Sequence, residues 1–529
     1  MTKNLVLLVI IDGFGISLEK KGNAVYLAKK PNLEYISKNY PGTTLMASGL
    51  EVGLSWGEAG SSEVGHANIG AGTVVFQNLE RINLAIEDKT FFKLPAWKRS
   101  VDHANKNGSD IHIMGMVSNG GVHSHIEHLF AILETIKKLK FKGNVFIHVF
   151  TDGQDVSPDS ALKYIELLEN KIEELEIGQI ASIMGRYYAM DKGENWDRTK
   201  RAYDCLVGGI GNKAFSLKEV IDNSYKKNIK DEHIEPTNIV DEASKPTGLI
   251  KDKDVLIYFH FRADRTRQLT GAFVFDIFSE FKRKKLANLL FIPLTQYGTK
   301  FPLEPAFSLQ YIKNPLVKVI SDAGKIQFHI AEKEKYAHVT YFFNGGREEE
   351  FKGEDRAIIP SKNVAGYELA PEMSAYEITE RVLSEIKKQQ HDFIVVNFAN
   401  ADIVGHTGNL KSAIKAIEVI DECLGKIMKE VLKINGAMLI TADHGNVEEM
   451  INLETEGTDK EHSVNPVPFW IIRSGLNINL EDAEDISPKG ILADVAPTIL
   501  DLMNLPKPKE MTGTSLLHIA SRCPVCKSQ

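Results

Sequence analysis

Asp12, Ser62, Asp402, His406, Asp443, His444 and His462 are side chains of the types that ligate divalent metal ions or act as nucleophiles. Asp402-Ile-Val-Gly-His406 sets a carboxylate and an imidazole four residues apart, and Asp443-His444-Gly445 sets them side by side, offering the oxygen and nitrogen donors that such ions take. His462 completes the set. Any one of these alone is more often a cap, a turn residue or a satisfied core group. Several carboxylates converging on one crevice repel one another unless cations compensate them, which points to metal. Ser62 lies in Gly60-Ser-Ser-Glu-Val-Gly65-His66, a short Gly-flanked run suited to a helix entrance. There the helix N-terminus would favour a phosphoryl group, and a coordinated cation would lower the hydroxyl pKa enough to make it a nucleophile. Ser61 is the rival for that role. The joint expectation is a two-metal phosphoryl-transfer centre.

A second group of motifs is spread through the first half of the chain: Gly121-Val-His123-Ser-His125, Asp152-Gly-Gln-Asp155, Gly185-Arg186-Tyr-Tyr-Ala-Met190 and Phe261-Arg262-Ala-Asp-Arg265, each after a strand-like run. A single arginine is ordinarily a solvated ion pair. Four such loops after successive strands point instead to one anion pocket, with Arg262 and Arg265 as a phosphate or carboxylate clamp. His123 and Asp155 are the candidate proton-transfer groups.

These residues need a scaffold, and the pattern supplies one. Apolar runs at Leu5–Asp12, Phe393–Asp402 and Ala437–His444 carry five of the seven metal candidates on strands or the turns leaving them. Further near-continuous runs at Asn144–Phe150, Asp254–Phe261, Leu289–Thr295 and Val467–Ile472 read as strands covered on both faces. They alternate with helical patterns: Ser157-Pro158 opening a stripe of Leu162, Ile165, Leu168, Ile172 and Leu175; a capping box at Ser374-Ala-Tyr-Glu377 with a helix to about Lys388; and Ile414 to Val431 at three-to-four spacing. The class is therefore α/β, with mostly parallel sheets flanked by helices. A chain of 529 residues suggests two to three domains. Unpatterned connectors after Val75 and over Tyr297–Pro315 would flank an insertion. The expected division is a discontinuous metal-binding domain over 1–76 and 311–515, an inserted α/β substrate domain over 77–297, a linker over 298–310 and a tail over 516–529.

Seventy-one acidic against 63 basic residues leave a net charge of −8, which disfavours nucleic acid and anionic membrane as partners. Met1–Ile11 reads as a buried first strand rather than a leader or a membrane span. Four scattered cysteines are too few for a disulfide framework, and a reducing cytoplasm is expected. Cys523 and Cys526 are best read as part of a frayed tail, since zinc wants four ligands.

The chain resembles the cofactor-independent phosphoglycerate mutases of the alkaline phosphatase superfamily over nearly its whole length. The matching segments are Ile11-Asp-Gly-Phe-Gly15, Ser62-Glu-Val-Gly-His66, Gly121-Val-His-Ser-His125, Gly185-Arg-Tyr-Tyr-Ala-Met-Asp191, Phe261-Arg262, Glu334-Lys335-Tyr336, Asp402-Ile-Val-Gly-His-Thr-Gly408 and Thr441-Ala-Asp-His-Gly445. The resemblance implies a phosphatase-like domain interrupted by a transferase-like one. It implies two manganese ions, one held by Asp402, His406 and His462 and the other by Asp12, Ser62, Asp443 and His444, with Lys335 near the phosphoryl group. It also implies substrate contacts at His123, Asp155, Arg186, Arg262 and Arg265.

Three positions depart from that pattern: Gln154, Lys192 and Thr73 stand where the family has arginine. Losing a charge-assisted contact costs about 1.5–3 kcal/mol, roughly one to two decades in affinity. The expected reaction is interconversion of 3- and 2-phosphoglycerate through phosphoserine at Ser62, with Asp155 and His123 as acid and base and no requirement for 2,3-bisphosphoglycerate. The alternatives are a metal-dependent phosphomonoesterase or another phosphosugar mutase with an altered pocket. A sulfatase would need a modifiable nucleophile followed by Pro and Arg, which Ser62-Glu-Val lacks. With no amphipathic stripe unexplained, a monomer acting on a small phosphorylated carboxylate is expected.

Overall fold

The computed structural model describes residues 5–518 apart from 309, 454 and 477–486; Cys523 and Cys526 lie outside the described residues. The chain divides into two compact units, Met1–Gln77 with Tyr311–Gln529 and, between those segments in sequence, Asn78–Gln310.

In the first unit the strands run in spatial order Glu354–Ile359, Gln327–Glu332, Phe393–Phe398, Val6–Ile11, Ala437–Thr441, Val467–Arg473, Gly42–Met46 and Gly490–Ile491. The first five are mutually parallel, and Val467–Arg473 is antiparallel to both its neighbours. Val9 is paired with Val396 on one side and Ile440 on the other. Every residue of Val6–Ile11, Phe393–Phe398 and Ala437–Thr441 is buried, as a sheet with both faces covered requires. Helices Ala375–Lys388 and Leu410–Lys433 pack their apolar stripes into the same core.

The second unit is a seven-stranded sheet in the order Asn212–Ala214, Thr237–Ile239, Gln179–Gly185, Val145–Thr151, Ile111–Met116, Val255–Tyr258 and Leu290–Pro293. Only the Thr237–Ile239 pairing with Gln179–Gly185 is antiparallel. Both units are thus α/β.

Local chemistry departs from the sequence reading at four places. The strand expected over Asp254–Phe261 stops at Tyr258, because the Phe261 N–H turns to the His123 carbonyl (2.9 Å) instead of continuing the ladder. The helix expected from Ser157-Pro158 begins at Ala161, and the Asp231 carboxylate, 70 residues away, accepts the Ser160 and Ala161 N–H groups at 2.9 Å each. No capping box forms at Ser374, whose hydroxyl donates to the Pro360 carbonyl (2.9 Å). The run 298–310, expected as a linker, is packed: Phe301, Ala306 and Phe307 are buried, and Ala306 and Phe307 extend hydrogen bonds to Pro293 and Leu294. A stretch without periodicity still buries aromatic surface when it has some. Among the described residues no helix is long and apolar enough to cross a membrane.

Candidate active site

Four adjacent parallel strands of the first unit deliver their chemistry at one edge, the carboxyl ends. Asp12 follows Val6–Ile11, Asp443 and His444 follow Ala437–Thr441, Lys335 ends the short helix after Gln327–Glu332, and Asp402 sits on helix Asn400–Gly405 after Phe393–Phe398. Gly13 is required where these turns meet. Its φ is +75°, and a Cβ there would lie 2.7 Å from the Asp402 Cα.

Ser62 is the first residue of helix Ser62–Ala71 and is buried. Its Oγ lies 2.9 Å from His444 Nε2, 3.1 Å from Asp12 Oδ1 and 2.6 Å from Lys335 Nζ. Ser61, the rival, spends its oxygen capping the same helix by accepting the Val64 N–H (3.4 Å). Lys335 Nζ also donates to Asp12 Oδ1 and Asp402 Oδ2, each at 2.7 Å. Burial would depress this amine, but the carboxylates of Asp12, Asp402 and Asp443 outweigh it and hold the ammonium well above its ordinary range. Asp12 and Asp402 are pushed the opposite way: burial favours protonation, yet Lys335 with His444 for Asp12, and His406 and His462 for Asp402, keep both ionised. His444 is raised to about 9, since the neighbouring Asp443 and Asp12 overcome its desolvation.

Two groups of donors have the spacing of a metal site: Asp402, His406 and His462, and Asp12, Asp443 and His444, with ligand atoms mutually within 4.8 Å. In the first, His406 Nδ1 faces the Lys460 carbonyl (2.7 Å) and His462 Nδ1 faces the Gly60 carbonyl (2.8 Å). A carbonyl only accepts, so both Nδ1 atoms carry hydrogen and both Nε2 atoms carry lone pairs in the neutral rings. Those Nε2 atoms are 3.1 Å apart, and Asp402 Oδ1 lies 3.2 and 3.1 Å from them. Three acceptors aimed at one point call for a proton or a metal ion there. In the second group the buried Asp443 Oδ2 has no hydrogen-bond partner, because His66 Nδ1, although 3.1 Å away, gives its hydrogen to the Ser62 carbonyl. On both counts the residues present fit divalent cations.

Several contributors carried no local sequence signal strong enough to select them. Asn397, inside the apolar strand Phe393–Phe398, donates to Asp12 Oδ2 (2.7 Å) and faces His66 Nε2 (3.0 Å). Asn446 donates to Asp402 Oδ1 (3.3 Å). The clue to Asn397 was a lone amide in a run with no other polar residue.

In the second unit the loops after four neighbouring strands gather the other set. Arg186, only 2% exposed, bridges Asp152 Oδ1 (2.7 Å) and Asp155 Oδ2 (3.0 Å), and Ser118 donates to the far oxygen of Asp152 (2.6 Å). His123 is lowered to about 4 by burial and then by the Arg186 charge, so it is a neutral base near pH 7; its Nδ1 lies 3.7 Å from Asp264. Asp155 is raised by burial against the pull of Arg186. A closed ring of bonds holds His123: His260 Nε2 accepts the Met116 N–H (2.8 Å), Ser124 Oγ donates to the Met116 carbonyl (2.7 Å), and Phe261 N–H reaches the His123 carbonyl. Arg262 is more than half exposed and 3.3 Å from Asp264, which also lies 3.8 Å from Lys192, and Arg265 donates to the Met190 carbonyl (3.3 Å). Gln154 gives its amide to the Glu232 carboxylate. His125 is accounted for by structure alone, as the cap of helix Ile126–Lys138.

Residues 82–299 match the family model described as BPG-independent PGAM N-terminus. The chain is 49% identical over 517 residues to the 2,3-bisphosphoglycerate-independent phosphoglycerate mutase of Clostridium novyi (strain NT), covering 98% of this chain and 100% of that one. It is 48% identical over 519 residues to the same enzyme of Acetivibrio thermocellus, with equal coverage. Among solved structures, the phosphoglycerate mutase of Leishmania mexicana, crystallised at low cobalt concentration, matches with a TM-score of 0.59 at 29% identity and covers 97% of each chain.

Proposed function

The chain belongs to the 2,3-bisphosphoglycerate-independent phosphoglycerate mutase family, and from that premise we propose that it interconverts 3-phosphoglycerate and 2-phosphoglycerate through a phosphoserine at Ser62, without 2,3-bisphosphoglycerate. The observation that carries this reading is the setting of the Ser62 hydroxyl, within 2.6–3.1 Å of Lys335, His444 and Asp12 at the start of a helix. Asp402, His406 and His462 would hold one divalent ion, and Asp12, Ser62, Asp443 and His444 the other, with manganese as the proposed metal. When bound, such ions acidify the serine hydroxyl and neutralise phosphoryl oxygens.

The protein's own groups do the rest. Ser62 Oγ, as the alkoxide left once its proton has passed to solvent, forms the new P–O bond as the ester bond to the 3-oxygen breaks, and the departing alkoxide takes a proton from the acid form of Asp155, beside which the neutral His123 is the paired base. The Lys335 ammonium stabilises charge gathering on the phosphoryl oxygens. Asp155 then removes the proton of the 2-hydroxyl, which attacks phosphorus and restores Ser62. Arg186, Arg262 and Arg265, with Gln154 and Lys192 in supporting positions, hold the carboxylate and phosphate groups. The metal-binding domain is thus the phosphoryl carrier and the inserted domain the substrate-holding, proton-moving part. The protein is proposed to work as a monomer in the cytoplasm on this small anion, with neither nucleic acid nor membrane as partner. A phosphomonoesterase is not favoured, because the mutase relatives match along their full length.

The test is coupled turnover of 3-phosphoglycerate in Mn2+ without 2,3-bisphosphoglycerate, together with mass spectrometry of quenched enzyme. Isomerisation with phosphate on Ser62 is expected, and Ser62→Ala should lower turnover by at least about 10³-fold. A Ser62→Ala protein with wild-type turnover would refute the serine assignment.

A further inference from the structure

We infer that Glu448 is a positioning residue of the metal centre, a side chain that ties together loops carrying its ligands; this rests on the two-ion reading above. Glu448 is buried at 1% exposure in the loop that follows Asp443 and His444. Four donors from three loops converge on its carboxylate. Oε2 accepts the N–H groups of Gly15 and Asn446, each at 2.9 Å. Oε1 accepts the Asn465 side-chain amide at 3.1 Å and the Ser463 hydroxyl.

Each donor sits next to metal chemistry. Gly15 is three residues beyond Asp12. Asn446 is two beyond His444, and its own amide reaches Asp402 Oδ1 at 3.3 Å. Ser463 adjoins His462, and its N–H is also given to the Gly445 carbonyl (3.1 Å). One carboxylate therefore ties the segments bearing Asp12, Asp443, His444 and His462, and the Asn446 amide carries the connection on to Asp402. Only an ionised carboxylate, an acceptor at every lone pair, can take four donors at once. The surrounding backbone is carved to admit it. A Cβ on Gly15 would lie 2.6 Å from Glu448 Oε2, and one on Gly445 would collide with both Glu448 Oε1 and the Ser463 hydroxyl.

Groups that orient metal ligands set affinity as well as shape. Glu448→Gln presents an amide NH2 to donors that need an acceptor, so the loops separate. Mn2+ titrated calorimetrically into the chelator-stripped full-length protein should show a roughly 10–100-fold weaker dissociation constant for Glu448→Gln. Ser463→Ala, which deletes one donor, should weaken it about fivefold. Circular dichroism melting of the same metal-free samples reads folding separately, so the affinity comparison is made on folded protein. If Glu448→Gln does not fold, Ser463→Ala decides alone. Wild-type affinity in a folded variant, even with a lowered Tm, reduces Glu448 to a structural tie and overturns the inference. A wild-type protein that binds no Mn2+ fails the two-ion reading itself, a different result.

Discussion

At the scale of the residue, Lys335 decides the character of the site. Three buried carboxylates, Asp12, Asp402 and Asp443, lie within its field, and its ammonium is bonded to two of them and to the Ser62 hydroxyl. Removing one partner of such a buried network strands the other charges, at about 3–5 kcal/mol. Lys335→Met should therefore destabilise the chelated protein by about that amount in urea titration. It should also lower turnover of the metal-loaded enzyme by at least about 10²-fold, as loss of a charge-stabilising donor does. Equal stability of the two chelated proteins would mean that the ammonium is not their counter-charge. The departures at Gln154 and Lys192 acquire partners as well. Gln154 is tied to Glu232, and Lys192 stands over half exposed near Asp264, so neither side chain is free of a neighbouring carboxylate.

At the scale of the element, helix Ser62–Ala71 is built around contact rather than propensity. Alanine in place of a mid-helix glycine ordinarily stabilises by roughly 0.5–1 kcal/mol. At Gly65 a Cβ would lie 2.6 Å from the Asp443 Cβ and press on the Asp443 carbonyl, so the steric cost wins. Gly65→Ala should lower the melting temperature and reduce kcat, by pushing Ser62 away from His444; a raised melting temperature with unchanged kcat would show that the helix can shift freely. Such dependencies mark how far the sequence could be read. The strands Val6–Ile11, Phe393–Phe398 and Ala437–Thr441 announced themselves because both faces are buried and their runs are nearly all apolar. The turns leaving them were legible because Asp-Gly and Asp-His-Gly are chemically unusual there. What stayed hidden were bonds with no local pattern: Asp231 capping a helix 70 residues away, Asn397 reaching Asp12 across 385 residues, and the early end of the strand at Tyr258, caused by a bond to His123. The failed capping box at Ser374 has the same origin, since the distant Pro360 carbonyl takes its hydroxyl. Short edge strands such as Gly490–Ile491 and Asn212–Ala214 exist only because a neighbour pairs with them.

At the scale of the molecule, the two units should respond to different variables. In the second, burial lowers His123 to about 4 and His128 to about 3, and drives His148 and His260 well below the usual range. As pH falls below about 6.5 the unfolded chain takes up protons that the folded one refuses, at His123 until about pH 4 and at His128 until about pH 3. Each such histidine then removes about 1.4 kcal/mol of stability per pH unit over that window. Amide exchange in strands Ile111–Met116 and Val145–Thr151, corrected for intrinsic rate, should accelerate between pH 7 and pH 5. Unaltered protection there would mean that these histidines are not held neutral. Chelation should act on the other unit. An ion present at 100 times its Kd stabilises by about 2.7 kcal/mol, so EDTA should loosen Val6–Ile11 and Ala437–Thr441 while leaving Ile111–Met116 as protected as before.

The placement of Val6–Ile11 between Phe393–Phe398 and Ala437–Thr441 bears on how the polypeptide is made. From Ile11 to Phe393 is 382 residues (393 − 11), so a ribosome adding about 5–20 residues per second emits this greasy hexapeptide roughly 20–80 seconds before either flanking strand exists. Asn78–Gln310 meets all its own sheet partners within that interval. Nascent chains therefore pass through a stage with one half finished and the other half an exposed, aggregation-prone β-segment awaiting its mates. Holdase chaperones have their natural target in that stage.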